Sequence, residues 1–480
     1  MPFITDDETG LPVVPLWING RPVLSKEAGT FPVFSAARHK NVHLAQNANV
    51  TLAREAADSA QFALDKWKLN TPASRRDIIN KMSELLVARK QELVALQMEE
   101  TSCSQSWAEF NIGYTTSTLD EIAARVTTAC AGELPAMSTQ GPMGFVFKEA
   151  IGTVLLIAPW NAAVVLATKS LASILGAGCS VVFKASELSP RTHHKLLELW
   201  VEAGVPPSVI NVVQCRRDDS PAVTEALISH PAIKKIEFIG SASVGRIVAS
   251  LCGKYLKPVL MELGGKCPHI VLDDLNDAQL EEAASKAIRY AFMHHGQVCF
   301  SCERIIIQRK VAEKFIELLK LKAKEFPQAE GVNTRIVDNA YNMLVDADSK
   351  GAKFILGKPE YLNDHTLAPV LLTNVTKAMK IHNEESFGPS ATIIIVEDDE
   401  EAFNVANDSS YGLDAFVHTY DMKRALYLAR QLEVGKLRVN GTTHEATFPF
   451  SAVKGSGWGR NNADAGIDQF LVQKGVIIDI

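Results

Sequence analysis

The segment GTVLLIAPWN (residues 152–161) starts the part of the chain in which strands and helices alternate. Its apolar run predicts a buried strand, and Pro159, Trp160 and Asn161 predict a loop directly after it. The uncharged stretch continues to Thr168, which is long enough to raise the question of a membrane span. Because the loop lies in its middle, we expect strand, loop and helix instead of a span.

The same alternation repeats further along the chain. Buried strands are predicted at CSVVFK (179–184), VINVVQ (209–214), KKIEFIGS (234–241) and KPVLMEL (257–263), with helical patterns between them. This order predicts an α/β fold built on a doubly wound parallel sheet. Ligands of such sheets bind at the carboxyl ends of the strands. Polar or glycine residues follow four of the predicted strands: Trp160 and Asn161, Lys184 and Glu187, Gly240 and Ser241, Glu262 and Gly264.

The composition sets limits on the architecture and the partners. A chain of 480 residues is too long for one ordinary core, so two or three lobes are expected. The formal net charge of −6 gives no reason to expect nucleic acid or an acidic membrane surface as a partner. Eight cysteines without a dense framework indicate free thiols in a reducing compartment, and no signal peptide is evident. We therefore expect a cytoplasmic protein.

Cys299 is the candidate nucleophile. It lies in YAFMHHGQVCFSCER (residues 290–304), between a helical pattern and the strand-like run IIIQ. A cysteine at such a junction can expose its sulfur to a cleft, and thiolates are good nucleophiles. On residue type alone, a buried structural cysteine would be the commoner reading. The nearest cysteine, Cys302, has no further ligands beside it, so we expect no metal site.

FIGSASVG (residues 238–245) is a candidate phosphate-binding turn, although the GxGxxG pattern is absent. Gly240 and Gly245 bracket a strand-to-helix turn whose first N–H groups could face a pyrophosphate, but an ordinary turn would look the same. Lys184 and Glu187 strengthen the first reading. A carboxylate can accept both ribose hydroxyls of NAD and would repel the 2′-phosphate of NADP, so NAD is expected and NADP is the alternative.

Seven motifs occur in the order and spacing of the aldehyde dehydrogenase superfamily. They are PWN (159–161), KASE (184–187), FIGSASVG (238–245), MELGGKCP (261–268), GQVC (296–299), EESFGP (384–389) and PF…KGSGWGR (449–460). The chain resembles this superfamily over nearly its whole length. PWNAAVVLATK and SCER also make it similar to the branch that oxidises aromatic aldehydes, such as salicylaldehyde and vanillin dehydrogenases.

The resemblance implies roles for three catalytic residues. Cys299 would attack the aldehyde carbon to form a thiohemiacetal, whose oxyanion the Asn161 amide and the Cys299 N–H would hold. Loss of a hydride to NAD(P)⁺ would leave a thioester, and Glu262 would activate the water that hydrolyses it. Glu262 favours a free acid product over transfer to coenzyme A. A solvated strand end remains the plain alternative for Glu262.

The resemblance also implies a set of cofactor contacts. Lys184 and Glu187 would bind a ribose, and Gly240 and Ser241 the pyrophosphate. Glu385 and Phe387 would orient the nicotinamide ribose and ring, although a charged turn and core packing would also explain them. The full predicted set is Trp160, Lys184, Glu187, Gly240, Ser241, Gly245, Leu263, Gly264, Glu385 and Phe387.

Two departures from the family pattern concern the substrate. The usual PFGG ends here in Ser451 and Ala452, and the asparagine before GQ is replaced by His294 and His295. The histidines could form a Cys–His dyad, but polar residues at a helix end are the favoured interpretation. Three phenylalanines are candidates to line an apolar aldehyde pocket, although core packing would explain each almost equally well: Phe292, Phe300 and Phe450.

The resemblance further implies three parts in the subunit and at least a dimer, so we expect a homodimer or homotetramer. The expected division is 1–126 and 149–262 for the NAD-binding domain, 263–439 for the catalytic domain, 127–148 and 465–480 for a small β oligomerisation element, and 440–464 for a segment returning over the active site. Three other functions stay open, and one of them is thioester or ester hydrolysis through the same cysteine, which would proceed without added NAD. A semialdehyde dehydrogenase would need a cation for the carboxylate tail, and a binding protein of this fold would have lost turnover.

Overall fold

The structure is a computed structural model that describes residues 3–479. Its helices are α1 (Val50–Trp67), α2 (Pro72–Ala88), α3 (Lys90–Thr101), α4 (Gln105–Ala129), α5 (Ala163–Ala177), α6 (Pro190–Ala203), α7 (Ser220–Ser229), α8 (Ala242–Lys254), α9 (Asp277–Phe292), α10 (Arg309–Glu325), α11 (Thr334–Ser349), α12 (Lys380–Asn383), α13 (Asp399–Asn407), α14 (Met422–Gln431) and α15 (Ala463–Asp468). A short 3-10 helix covers Met293–Gly296.

The strands before residue 263 are β1 (Ile4–Thr5), β2 (Pro12–Val14), β3 (Leu16–Ile18), β4 (Arg21–Val23), β5 (Thr30–Ser35), β6 (Lys40–Gln46), β7 (Met143–Ala150), β8 (Thr153–Ile157), β9 (Ser180–Lys184), β10 (Ile210–Val213), β11 (Ile233–Ile239) and β12 (Val259–Glu262). Those after it are β13 (Cys267–Val271), β14 (Cys302–Gln308), β15 (Lys353–Leu356), β16 (Tyr361–Asn363), β17 (Thr366–Leu367), β18 (Val370–Thr373), β19 (Ser390–Val396), β20 (Tyr411–Gly412), β21 (Asp414–His418), β22 (Lys436–Val439), β23 (Phe450–Ser451), β24 (Val453–Lys454), β25 (Gly457–Trp458), β26 (Arg460–Asn461) and β27 (Leu471–Ile478).

Local sequence chemistry sets many of the helix ends. A polar side chain at the N-cap accepts a hydrogen bond from a first-turn N–H, which satisfies a donor that the helix itself cannot. Thr71, Ser241 and Asn276 do this for α2, α8 and α9. Helices α5 and α6 end at Gly178 and Gly204, both in the left-handed conformation.

The first large sheet has the strand order β4-β3-β10-β9-β8-β11-β12-β25. Its five central strands, β8 to β12, are parallel. All residues of β8 and β9 are buried, which explains their unbroken apolar sequences. The predicted doubly wound parallel sheet is therefore confirmed. The strand order reverses between β8 and β11, and a crevice at such a reversal is where α/β sheets bind ligands.

The second large sheet has the order β15-β18-β19-β14-β13-β21-β22 and is parallel apart from the edge strand β15. Only residues 263–266 connect β12 of the first sheet to β13 of the second. The carboxyl end of β12 therefore lies next to the amino end of β13. The two sheets meet at this short link, and the residues on either side of it form the candidate site.

A separate two-stranded sheet pairs β7 with β27 in antiparallel register, from Met143 opposite Ile478 to Ala150 opposite Leu471. Helix α4 continues to Ala129 before the chain enters this sheet. The division into domains and the role of this sheet in oligomerisation stay predictions. In the part of the chain that the structure describes, every helix is too short or too polar to cross a membrane.

Candidate active site

The candidate site lies where strand ends of the first sheet approach strand beginnings of the second. Asn161 follows β8, and Glu262 is the last residue of β12. Cys299 precedes β14, and Glu385 precedes β19. Residues that are far apart in sequence therefore converge because two sheets meet end to end.

Cys299 stands on an irregular segment between α9 and β14. After α9 ends, His294 and His295 adopt positive φ angles of 49° and 59°. Each such residue costs on the order of 1–2 kcal/mol, because the β-carbon crowds the backbone in this conformation. The reversal ends the helix and leaves Cys299 partly exposed. Cys302 begins β14 and is fully buried, so the two cysteines occupy different environments.

The Cys299 sulfur is held as a thiol in the resting protein. Although part of the residue is exposed, protein surrounds its sulfur, and this burial raises the pKa of the thiol well above its ordinary value. The carboxylates of Glu262 and Glu385 add to this effect. Lys169 acts in the opposite direction but is outweighed. Because the thiolate is the nucleophile, attack by Cys299 requires a base that removes its proton.

Asn161 is fixed beside the segment that carries Cys299. Its Nδ2 donates a hydrogen bond of 3.0 Å to the carbonyl of Gln297, two residues before the cysteine. Trp107 Nε1 donates a 2.9 Å bond to the Asn161 carbonyl and holds the backbone from α4. A primary amide has two N–H donors, so the bond to Gln297 leaves one for another acceptor.

Glu262 is paired with a lysine that the sequence analysis did not include in the site. Lys169 Nζ lies 2.9 Å from Glu262 Oε2, and both side chains are buried. Burial alone would lower the pKa of Lys169, but Glu262 raises it above its ordinary value, so the ammonium persists. Lys169 is the only charged residue between Glu149 and Lys184. A single charge in a buried helix requires a charged partner. This isolated lysine was therefore the feature of the sequence that could have indicated the ion pair.

The loop that carries Glu385 and Phe387 is held by a second buried ion pair. Lys266 Nζ lies 2.6 Å from Glu303 Oε2 and donates a 2.8 Å bond to the Glu384 carbonyl. The Glu303 carboxylate accepts bonds of 3.0 Å from Ser386 N and 3.1 Å from Phe387 N. Lys266 and Glu303 thus fix this loop over the site, and neither was predicted to do so.

Two consecutive glycines allow the loop and the cysteine segment to approach β12. A β-carbon at Gly264 would lie 2.2 Å from Glu385 Oε2, and one at Gly265 would lie 2.2 Å from the Cys299 carbonyl. Gly265 N donates a 3.0 Å bond to Glu385 Oε1. Burial and then the charge of Glu303 raise the pKa of Glu385 to about 8. At neutral pH this carboxyl group can therefore donate as well as accept a hydrogen bond.

The remaining predicted cofactor residues lie around the same strand ends. Gly240 N donates a 3.0 Å bond to the Glu262 carbonyl, and Ser241 caps α8. Gly245 packs against Leu263. Trp160 and Phe387 meet edge to face with their ring centroids 6.2 Å apart. Lys184 ends β9 and is buried, whereas Glu187 is half-buried in the loop after it.

Comparison with known proteins gives the family of this chain. A family profile described as "Aldehyde dehydrogenase family" matches residues 23–476. The chain belongs to the aldehyde dehydrogenase family. The predicted resemblance is thereby confirmed, and so is the enzyme class.

Individual aldehyde dehydrogenases resemble the chain over nearly its full length. A vanillin dehydrogenase of Pseudomonas fluorescens is 37% identical and the match covers 95% of this chain and 96% of the relative. A salicylaldehyde dehydrogenase from Pseudomonas putida G7, solved in complex with salicylaldehyde, has a TM-score of 0.93 at 32% identity and 98% coverage of both chains. A betaine aldehyde dehydrogenase from Staphylococcus aureus, solved with NAD⁺, has a TM-score of 0.92 at 25% identity, covering 97% of this chain and 94% of that one.

The histidine pair that departs from the aldehyde dehydrogenase pattern is engaged in packing. His294 stacks on Trp107 at 5.6 Å between ring centroids and meets the edge of Trp160 at 5.8 Å. Burial lowers the pKa of His294 to about 3, so its ring is neutral. His295 Nε2 accepts a 3.4 Å bond from Leu367 N. These contacts support packing at the helix end over a Cys–His dyad.

The second departure lies beside the Glu262 carboxylate. Phe450, Ser451 and Ala452 line a small cavity together with Glu262. The Phe450 ring centroid is 4.9 Å from Lys169 Nζ, so the ring covers the ion pair of this aldehyde dehydrogenase. Phe292 instead packs in the core of the second lobe against Phe326.

Aromatic side chains from α4 and two loops form a cluster around Phe300, the neighbour of Cys299 in sequence. Phe300 was a predicted pocket residue, and the other members were not predicted. Phe110 stacks with Trp107 at 5.5 Å and with Tyr114 at 6.0 Å between centroids. His444 contacts Phe110 and Phe300, both at 5.1 Å. We call Trp107, Phe110, Tyr114, Phe300 and His444 the aromatic cluster. The helical spacing of 107, 110 and 114 places three of these rings on one face of α4.

Proposed function

We propose that this aldehyde dehydrogenase oxidises an aromatic or otherwise apolar aldehyde to the free carboxylic acid with a nicotinamide dinucleotide, through a thioester on Cys299. One observation carries the proposal: Cys299, Asn161 and Glu262 converge at the link between the two sheets, although they lie on separate parts of the chain. A nucleophile, an oxyanion donor and a general base are the groups that this chemistry requires.

In the first step the Cys299 sulfur forms a bond to the aldehyde carbon, and the carbonyl oxygen becomes an oxyanion. Because the thiol pKa is raised, Glu262 takes the thiol proton. The Asn161 amide and the Cys299 N–H donate to the oxyanion of the thiohemiacetal. Loss of one donor of this kind typically costs about 10²–10³ in rate.

A bound nicotinamide dinucleotide supplies the hydride acceptor in this chemistry. The residues that would hold it are those of the predicted set, from Trp160 to Phe387. The exposed surface of α8 is suited to such a ligand. Val244 and Ile247 leave an apolar face of α8 uncovered, with 46% and 62% of each residue exposed. The first turn of α8 presents backbone N–H groups of the kind that bind phosphate, and the Ser241 side chain accepts from one of them, Val244 N. Glu187 favours NAD over NADP at the ribose.

Glu262 releases the thiol proton to solvent before the last step. It then takes a proton from water, the water oxygen bonds to the acyl carbon, and the carbon–sulfur bond breaks. The sulfur leaves as a thiolate, and the product is a carboxylic acid. Lys169 gives the buried Glu262 carboxylate a counter-ion at 2.9 Å, next to where the attacking water would bind.

The aromatic cluster supports an aromatic substrate. Aromatic rings pack edge to face or offset at 4.5–7 Å, which an aromatic aldehyde can match at about 0.5–1.5 kcal/mol per pair. The two buried cations near the cluster are already paired, Lys169 with Glu262 and Arg438 with Asp414. The carboxylate tail of a semialdehyde would therefore have to compete with Glu262 for Lys169 or with Asp414 for Arg438. The names of two of the similar proteins, the vanillin and the salicylaldehyde dehydrogenase, point the same way.

The β7–β27 sheet is the proposed contact between subunits of a homodimer or homotetramer. Phe147, Val472 and Ile477 expose 47%, 40% and 68% of their surface on it. Exposed sheet edges with apolar side chains tend to be covered by a partner. A cytoplasmic location stays a prediction from the free cysteines.

The proposal is tested by NADH formation at 340 nm with a panel of aldehydes and each nicotinamide. Benzaldehyde-type substrates with NAD⁺ are expected to turn over best. Succinic semialdehyde as the best substrate would favour the alternative function. No turnover of any aldehyde by the folded enzyme would contradict the proposal.

A further inference from the structure

Glu237 is a buried carboxyl group for which the proposed chemistry has no role. It lies in β11, and its surface is fully buried. Its Oε1 accepts a 2.7 Å bond from Ser170 Oγ. Its Oε2 has no hydrogen-bond partner within residues 3–479. A buried carboxyl oxygen without a partner is costly, so this arrangement calls for a functional reason.

Glu237 and the base Glu262 project from the same face of the first sheet. In the parallel pairing of β11 with β12, Ile239 lies opposite Glu262, and Glu237 is two residues earlier on β11. Side chains two residues apart share a face. The rise along a strand and the spacing between strands place the two Cα atoms about 8 Å apart. Helix α5 covers this face with consecutive residues, because Lys169 contacts Glu262 and Ser170 contacts Glu237.

The charged groups around Glu237 come from three elements. Lys169 faces it from α5, Lys235 from β11 itself and Glu262 from β12. Tyr114 on α4 faces Lys169. Lys235 Nζ donates a hydrogen bond to the Gln469 carbonyl, so this ammonium group already has an acceptor. Lys169 is therefore the ammonium group that interacts with both carboxyl groups, Glu237 and Glu262.

Burial raises the pKa of Glu237 to about 7, against the opposing effects of Ser170 and Lys169. This carboxyl group is therefore neutral in weak acid and ionised in weak base. The change falls in the range in which an enzyme of this kind would work, and it happens next to the partner of the catalytic base.

We propose that Glu237 is a positioning residue for the base: by taking up or releasing a proton, it sets how strongly Lys169 holds Glu262. The inference rests on the proposed role of Glu262 in thioester hydrolysis. When Glu237 is neutral, Lys169 interacts with Glu262 alone and lowers its proton affinity. When Glu237 is ionised, it attracts Lys169 and repels the second carboxylate. Both effects raise the proton affinity of Glu262, which makes it a stronger base toward water.

The test uses p-nitrophenyl acetate, an ester that can acylate Cys299 without aldehyde or nucleotide. The initial burst of nitrophenolate reports acylation, and the steady rate reports hydrolysis of the acyl-enzyme. Cys299→Ser must lose the burst, and Glu262→Gln must lose the steady rate, before Glu237 is examined. If either activity survives, the proposed function fails, and this inference fails with it.

With those controls in place, Glu237→Gln keeps the volume and an acceptor for Ser170 but cannot ionise. The wild-type steady rate is expected to rise as the pH passes through about 7, and the variant should lack this rise. At pH 8.5 its rate should be about three- to tenfold lower, with the burst amplitude unchanged. A wild-type profile in Glu237→Gln would overturn the inference alone and leave the proposed function intact.

Two further variants separate positioning from simple packing. Glu237→Asp retains an ionisable group and should restore a rise in the steady rate with pH. Lys234→Gln, on the exposed side of the same strand, should leave the profile unchanged. If Glu237→Gln does not fold, Ser170→Ala removes a bond that lowers the pKa of Glu237, so the rise should move to higher pH. An unmoved profile in Ser170→Ala would overturn the inference.

Discussion

Lys169 Nζ lies 2.9 Å from Glu262 Oε2 in a site where the two side chains are 6% and 5% exposed. The pair links α5 to the end of β12 and ties the proposed base to a fixed cation. A buried ion pair is strongly destabilised when one partner is removed, because the other charge is left without compensation. The consequence for Glu262 is direct, since it must stay ionised to act as a base.

Replacement of Lys169 by methionine leaves the buried Glu262 carboxylate without its cation, which favours the uncharged carboxyl group over the anion. Thioester hydrolysis should slow at pH 7 and recover at higher pH, with the profile moved by about one to three pH units. The free energy of unfolding should fall by up to about 3–5 kcal/mol. Steady-state rates across pH measure the shift, and Lys169→Arg, which keeps the charge, is the control. An unmoved profile in Lys169→Met would show that the ion pair does not tune the base.

Alkylation of Cys299 by iodoacetamide in the absence of substrate is expected to be slow at neutral pH. Burial, Glu262 and Glu385 raise the pKa of this thiol, so the thiolate fraction should grow only above the ordinary value of about 8.5. The rate of label incorporation into the peptide that contains Cys299, measured by mass spectrometry across pH, gives the pKa. A midpoint below about 8.5 would contradict the described environment.

Gly264→Ala is expected to abolish most activity while leaving a folded enzyme. The new β-carbon would lie 2.2 Å from Glu385 Oε2, so the loop that carries Phe387 must move. The KM for the nicotinamide should rise, because this loop is the proposed contact for the nicotinamide ribose. Gly113→Ala, in α4 with nothing within 4 Å of the added β-carbon, is the matched control. Wild-type KM in Gly264→Ala would exclude Glu385 from that role.

Glu303→Gln should loosen the same loop from the other side. Glu303 accepts bonds from two loop N–H groups and neutralises the buried Lys266, so the variant leaves Lys266 without its anion. We expect a lower melting temperature and a higher KM for the nicotinamide, with the burst from p-nitrophenyl acetate retained. Loss of that burst as well would mean that Glu303 supports Cys299 and not only the loop.

The stability of Glu237→Gln relative to the wild type should depend on pH. Burial raises the pKa of Glu237 above the unfolded value, so its stabilising contribution is complete below about pH 4.5 and is lost as the pH rises through about 7. Between pH 5 and pH 8, the free energy of unfolding of the variant should therefore rise relative to that of the wild type by about 1–3 kcal/mol. Melting temperatures of both proteins across this range test the sign. A constant difference would contradict a buried, titrating Glu237.

The sequence was sufficient for the centre of the first sheet, because β8, β9 and β10 are buried throughout and their apolar runs leave little choice. It also predicted that Asn161 and Glu262 lie at strand ends, as they do in the structure, and their role toward a ligand stays a prediction. It could not supply the ion pair of Lys169 with Glu262, whose partners are 93 residues apart. The role of Glu303 was equally hidden, because its contacts with residues 386 and 387 depend on how two loops pack. For Phe292 the sequence left pocket and core both open, and the structure packs it in the core of the second lobe.

The central claim is that an acyl group passes through the sulfur of Cys299 and is released by Glu262. Glu262→Gln enzyme incubated with an aromatic aldehyde and NAD⁺ should accumulate the thioester, because the base that hydrolyses it is gone. Mass spectrometry of the denatured protein is expected to show one added acyl group on the peptide that contains Cys299, and none in Cys299→Ser/Glu262→Gln. An acyl group on any other residue, or NADH formation that persists in Cys299→Ser, would contradict the account.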